Sequence, residues 1–316
     1  NGNSIIDAGA VDEYVANITI KNCVLDGNNV EGRKAFNGLG ISGTWTWDNN
    51  EIKNINNWSV LSNTDSYDSD VELSHVVFTN NDVHDVSGAI AFRGKQGQEI
   101  ETAVITGNTA DYSMYEVSNA WAFVEVNKVL DVEISNNVVY GVPPSNPTSS
   151  GGVEGQAFQV WSTAPWVLDM HDNDLSGNHQ GLAIPLEARD DNALYIPSGY
   201  GCHYNNFSNP GDFALTVEDW PIDGEGNSAG NLGDFLDVNY NYWGPNGPDG
   251  LVFGPLVLER WYLDEAQTIL NNIEPVWHVS TDGSDDNNGT EESPFATIQH
   301  GIDEAASGDT VLVQPG

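Results

Sequence analysis

Basic side chains are nearly missing from this sequence. Nine Lys and Arg stand against 47 Asp and Glu, a formal charge of −38 over 316 residues. So acidic a surface repels nucleic acid and anionic membranes, which proteins hold through Lys and Arg. It disfavours polyanionic substrates for the same reason and favours cations, calcium among them. Long apolar runs are missing too, so no segment is expected to insert in a membrane as a helix. Only two cysteines occur, Cys23 and Cys202, and they allow one disulfide at most. The seven histidines form no His-x-x-x-His or His-x-His pair. Cys-x-x-Cys, P-loop and dinucleotide fingerprints are absent, so no organic cofactor is expected. There is no initiator Met and no signal peptide, and the sequence reads as a fragment or a processed chain. Residues 1–250 also lack a helical 3.6-residue period.

What is present is a repeat written in asparagine. Alternating apolar residues lead into an Asn-rich corner in "NITIKNCVLDGN" (17–28), "WTWDNNEIKNIN" (45–56) and "VVFTNNDVHDV" (76–86). The same pattern returns in "VEISNNVVYG" (132–141), "LDMHDNDLSGN" (168–178) and "CHYNNFSNPG" (202–211). With Asn22, Asn49, Asn80, Asn108, Asn136, Asn173, Asn205 and Asn239 as corners, the period is about 27–37 residues. Such periods indicate solenoids, propellers or arrays. A second short strand lies between corners, as in "GAIAFRG" (88–94), "AFQVWS" (157–162) and "GLAIPLE" (181–187). Propeller blades need longer antiparallel strands with hairpin turns, which are not seen. Short strands with sharp corners suit a coil whose turns stack in parallel about 4.8 Å apart. Asn suits the corners because it tolerates left-handed backbone angles and can form stacked side-chain ladders. In this register Cys202 points inward and Cys23 lies at a corner six turns earlier. That is about 29 Å away and beyond disulfide reach.

The pattern resembles the right-handed parallel β-helix proteins of the pectate-lyase-like superfamily. The resemblance implies an all-β solenoid of about eight turns with a short capping helix near the C-terminus. "NYNYWGPNGPDG" (239–250) is similar to segments that close such coils, and residues 277–316 are similar to segments that open one. The expected organisation is a β-helix body over 1–235, a closing segment over 236–274, and an opening cap over 275–316. Within the cap, Ser293 is expected as helix N-cap with Pro294 in the first helical position. Phe295, Ile298, Ile302 and Ala305 then form an apolar stripe, and Gly308 stops the helix.

This fold hosts lyases, hydrolases, adhesins and passive surface repeats, so function must be argued from sites. Alternation puts Arg93, Gln159, Trp161, Glu187, Thr216 and Glu218 on an outer face. Trp45, Trp47, Trp161, Glu187 and Glu218 are the candidates for binding carbohydrate there, through ring stacking and hydroxyl contacts. Resemblance to the lyases implies a cationic base, for which Arg93 and Lys95 are the candidates. A glycosidase needs paired carboxylates, for which Asp190 and Asp191 are the candidates. Calcium is expected either at Asp282, Ser284, Asp286 and Asn288, or at Asp65, Asp68 and Asp70. The leading expectation is an extracellular or cell-surface structural repeat that forms a rod, sheath, stalk or filament, with a further adhesive role. Copies would join head to tail through Val311, Leu312 and Val313 and the first-rung residues Ile5 and Ile6, because a bare strand edge is sticky. The alternative is a carbohydrate-active enzyme or sugar-binding module whose partner is a polysaccharide.

Overall fold

The computed structural model describes residues 4–8, 15–38, 41–57, 59–63, 73–114, 122–144, 155–185, 195–218, 235–254, 256–271, 276–305 and 310–314. It is an all-β parallel solenoid of about eight turns with a short helix near the C-terminus. Two compact units divide the chain, Asn1–Leu270 and Asn271–Gly316.

Three parallel sheets wall the first unit. The nine-stranded sheet runs Ser4–Ala8, Lys34–Gly38, Ser59–Ser62, Ala89–Arg93, Ala122–Asn127, Gln156–Trp161, Gln180–Pro185, Leu215–Glu218 and Val252–Phe253. A seven-stranded sheet runs from Val15–Lys21 to Ser198–His203, and a five-stranded sheet from Val24–Asp26 to Val138–Tyr140. Aromatic side chains fill the first turns. Phe36, Trp45, Trp47, Phe78, Phe92, Phe123 and Phe158 are fully buried, and consecutive rings pack edge-on or tilted with centroids 5.1–6.4 Å apart. Such geometry adds to the large area each ring removes from water.

The asparagine corners resolve into two adjacent columns. Asn22, Asn49, Asn80 and Asn136 take left-handed angles, with φ between 53° and 55°. The next residue in each turn points inward and forms a ladder: Asn50, Asn81, Asn108, Asn137, Asn173, Asn205 and Asn241. Each donates its backbone N–H and its Nδ2 to the Oδ1 of the next, at 2.7–3.1 Å. The other Nδ2 hydrogen reaches a carbonyl of the preceding turn, Ile20 O for Asn50 and Ile105 O for Asn137. The expected single column is therefore corrected. Asn108, Asn173 and Asn205 belong to the ladder, whereas Asn239 belongs to neither column and accepts from the N–H groups of Glu259 and Arg260. Cys23 opens the ladder, its N–H on Asn50 Oδ1 at 3.0 Å. Both cysteines are free, Cys23 exposed and Cys202 buried.

The segment expected to close the coil does form a turn. Leu236–Asp237 pairs with Leu256–Val257, and Asn241–Tyr242 with Trp261–Tyr262. Trp243 is buried and stacks on Phe207 at 5.0 Å and 10°. Gly254, at φ 112°, is required here, because a Cβ would lie 1.7 Å from the Val217 carbonyl oxygen.

In the second unit Val276–Val279 pairs in parallel with Thr310–Val313, and Phe295 bridges to Val279. Helix α1 (Ile298–Glu304) starts later than the sequence suggests: its N-cap is Thr297, whose hydroxyl accepts from His300 N–H at 3.2 Å. The cause is Asp285. Its carboxylate accepts from the N–H groups of Ala296 and Thr297 and from the Thr297 hydroxyl at 2.8–2.9 Å, which holds the chain before Ile298 extended. Burial pushes the Asp285 carboxyl up, but these bonds outweigh it and hold the pKa below its ordinary value. Gly301 is the buried residue of the helix. A Cβ there would meet Val311 Cγ1 at 3.0 Å and Val279 Cγ2 at 3.1 Å. Ile298 and Ile302, expected to face a coil, are instead more than half exposed. Gly308 lies outside the described residues.

Candidate functional site

The outer face of the nine-stranded sheet carries a group of buried polar side chains. Alternation places Ser62, Ala91, Glu125, Gln159, Ala183 and Thr216 side by side along it, with Arg93, Asn127 and Trp161 in the next row. An outer sheet face is ordinarily wet. Here every residue of Ala89–Arg93, Ala122–Asn127, Gln156–Trp161 and Gln180–Pro185 is buried, on both faces.

Arg93 therefore does not serve as an exposed cation. Its guanidinium donates to Glu125 at 3.1 Å, with the two side chains 4% and 0% exposed. Glu125 also accepts from Asn127 Nδ2 at 2.5 Å. Asn63 accepts from Arg93 N–H and donates to its carbonyl, at 2.9 and 2.8 Å. Glu125 escaped the sequence reading, although the alternation of "AFVEV" marks it as outward. Asn127 Oδ1 and Gln156 Oε1 are buried there without a hydrogen-bond partner among the described residues. Lys95 is half-buried in a tight turn where its backbone pairs with Gln98.

The aromatic candidates are corrected. Trp45 and Trp47 pair with Ile18 and Ile20 and sit in the core, where no sugar can reach them. Trp161 faces outward but is 1% exposed. Glu187, Asp190 and Asp191 lie outside the described residues, as do Asp65, Asp68 and Asp70 and the side chain of Glu218. Asp282, Ser284, Asp286 and Asn288 share one loop. Ser284 Oγ accepts from Asp286 N–H at 3.3 Å, and Asn288 Oδ1 accepts from Thr290 at 3.2 Å. Among the described residues no three Asp, Glu, His or Cys side chains converge on one point. Ile5 is exposed and Ile6 packs against the core at its edge.

One titrating cluster lies on the five-stranded sheet. His84 reaches Asp85 at 2.8 Å and Glu51 at 3.2 Å, and Lys53 also binds Glu51 at 2.5 Å. Burial pulls the His84 pKa down, but the two carboxylates outweigh it and leave the imidazole above its ordinary value. A base whose pKa rises on folding stabilises the fold below its unfolded pKa, and that contribution fades as pH climbs through the folded one. His84→Gln is thus expected to lower stability more at about pH 5.5 than at about pH 9. Urea melts at both pH values would show it, and the opposite order would refute it.

The fold defines the class: a parallel β-helix. No protein-family model matches the chain, and no solved structure matches it. A stretch of 39 residues, 12% of this chain, is 49% identical to uncharacterized protein YwoF of Bacillus subtilis (strain 168). That stretch spans 8% of the relative's length.

Proposed function

We propose that the protein is an extracellular or cell-surface structural unit that builds a filament by head-to-tail association. The observation that carries this reading is the apolar surface left exposed on the second unit. Val276 and Leu312 lie on the side of its two-stranded sheet away from the helix, Val313 on the other side and Ile298 and Ile302 on the helix, all 45–53% exposed. Gly301 lets α1 lie close to its own sheet, so the Ile298–Ile302 stripe is left over. The strand Thr310–Val313 has a partner in Val276–Val279, so only its other edge is offered for assembly. The occupant we assign is the first turn of a second copy. There Ser4–Ala8, Val15–Lys21 and Val24–Asp26 are the end strands of their sheets, with Ile5 and Val24 exposed. Parallel edges would be completed and apolar surface buried together. Such a heterologous contact repeats into an open filament unless its rotation closes a ring. Calcium at the Asp282–Asn288 loop belongs to the same proposal, since a bound cation would offset the repulsion between acidic copies.

Sedimentation velocity and negative-stain microscopy over a dilution series test it. The full chain should grow with concentration, and Ile298→Glu with Leu312→Glu should stay monomeric. A wild type that remains monomeric throughout, or variants that assemble unchanged, would sink the proposal.

A further inference from the structure

The left-handed corner column changes chemistry toward the end of the coil. Its early positions are Asn22, Asn49, Asn80, Gly107, Asn136 and Asp172, residues that adopt such angles easily. The last two are Tyr204 at φ 57° and Tyr240 at φ 59°. A bulky side chain in this region is strained, and strain of this kind gathers at functional positions. Burial does not account for the choice, because the two residues are 43% and 36% exposed.

Their rings lie near parallel, centroids 6.0 Å apart and planes 21° apart. Tyr262, from the following turn, joins them with its centroid 6.4 Å from that of Tyr204. The row is held by the backbone, since Tyr204 N–H donates to Tyr240 O at 2.8 Å and Tyr240 N–H to Arg260 O at 2.7 Å. His203 sets its ring edge-on to both Tyr204 and Tyr240, 6.2 and 6.3 Å away, with its buried Nε2 3.3 Å from Asp237. Gln267 donates to the Tyr204 carbonyl at 3.1 Å.

We infer that Tyr204, Tyr240 and Tyr262 form a binding platform for a neutral polysaccharide. Pyranose rings present apolar C–H faces that pack on aromatic side chains, and their hydroxyls hydrogen-bond to phenol, imidazole and carboxylate groups. The three phenols, the half-exposed Asp237 carboxylate and Gln267 supply such groups here. Charge narrows the ligand, because a chain of −38 repels uronates and phosphates. The platform is separate from the nine-stranded sheet face and does not depend on self-association.

The test is affinity electrophoresis of the full chain in native gels containing hydroxyethylcellulose, xylan or galactomannan, with alginate as the acidic comparison. At least one neutral polymer should retard the protein, and alginate should not. Tyr204→Asn with Tyr240→Asn should weaken retention at least about tenfold. Because Asn suits the left-handed corner, that variant should melt at or above the wild-type temperature. Tyr204→Phe keeps the ring and should keep most of the retention. The inference is overturned if no neutral polymer retards the wild type, or if only alginate does. It is overturned equally if the double Asn variant binds unchanged, or loses binding together with a lower melting temperature, since the tyrosines would then serve the fold.

Discussion

Arg93→Ala should cost the fold about 3–5 kcal/mol, the usual penalty for removing one member of a buried ion pair. The Glu125 carboxylate, at 0% exposure, would lose the guanidinium now 3.1 Å away in a place where no solvent can replace it. Glu125→Ala should cost a similar amount for the mirrored reason. Exchanging both at once, Arg93→Met with Glu125→Leu, should recover most of the loss, because neither member of the pair is then left buried without the other. Guanidinium unfolding of the four proteins forms a double-mutant cycle, and a loss below about 1 kcal/mol in either single variant contradicts the assignment. The same variants address catalysis. Wild-type protein should release no unsaturated product from pectate or alginate with calcium present. Turnover that vanished in Arg93→Ala while the fold stayed intact would make this arginine a catalytic residue.

The second large effect separates two neighbours. Asn137→Ala removes the acceptor of Asn108 N–H and Nδ2 and the donor to Ile105 O and Asn173 Oδ1. Each polar group left buried and unmatched costs about 1–3 kcal/mol, and some will find new partners, so the expected total is about 3–5 kcal/mol. Asn136→Ala loses only the ease with which Asn adopts φ 54°, about 1 kcal/mol. Urea midpoints of the two variants give the comparison directly. A larger loss at position 136 than at 137 would mean that corner strain, not the ladder, holds the turns together.

Period and alternation made the coil legible, because inward side chains recur wherever a turn repeats. The offset between Asn136 and Asn137 was harder. Both are asparagine, and spacing alone does not say which one bends the chain and which one points inward. Trp45 and Trp47 show a signal present but set aside: "WTWDNN" aligns with "ITIKNC", which places both rings inward beside Ile18 and Ile20. Trp161 shows the opposite limit. Alternation gives the face on which a side chain lies, but not whether that face is covered. The helix start failed for a long-range reason, since Asp285 claims Ala296 N–H, within reach of a Ser293 cap, together with Thr297 N–H. Tyr204 and Tyr240 were visible only as departures from an asparagine column, and a departure is legible once the column itself is placed.

The asparagine ladder also has a mechanical consequence. Its steps join each turn only to its neighbours, 27–36 residues away in sequence. Under tension along the axis the turns are loaded in series, and the outermost one yields first because it is held from one side. A folded turn contributes about 4.8 Å to the axis. Peeled away, its roughly 30 residues supply about 100 Å of extended chain. A coil of this kind is short when relaxed, and each turn surrendered becomes about twenty times longer than it was when folded. It would pay out slack in separate steps while the turns behind it stay closed.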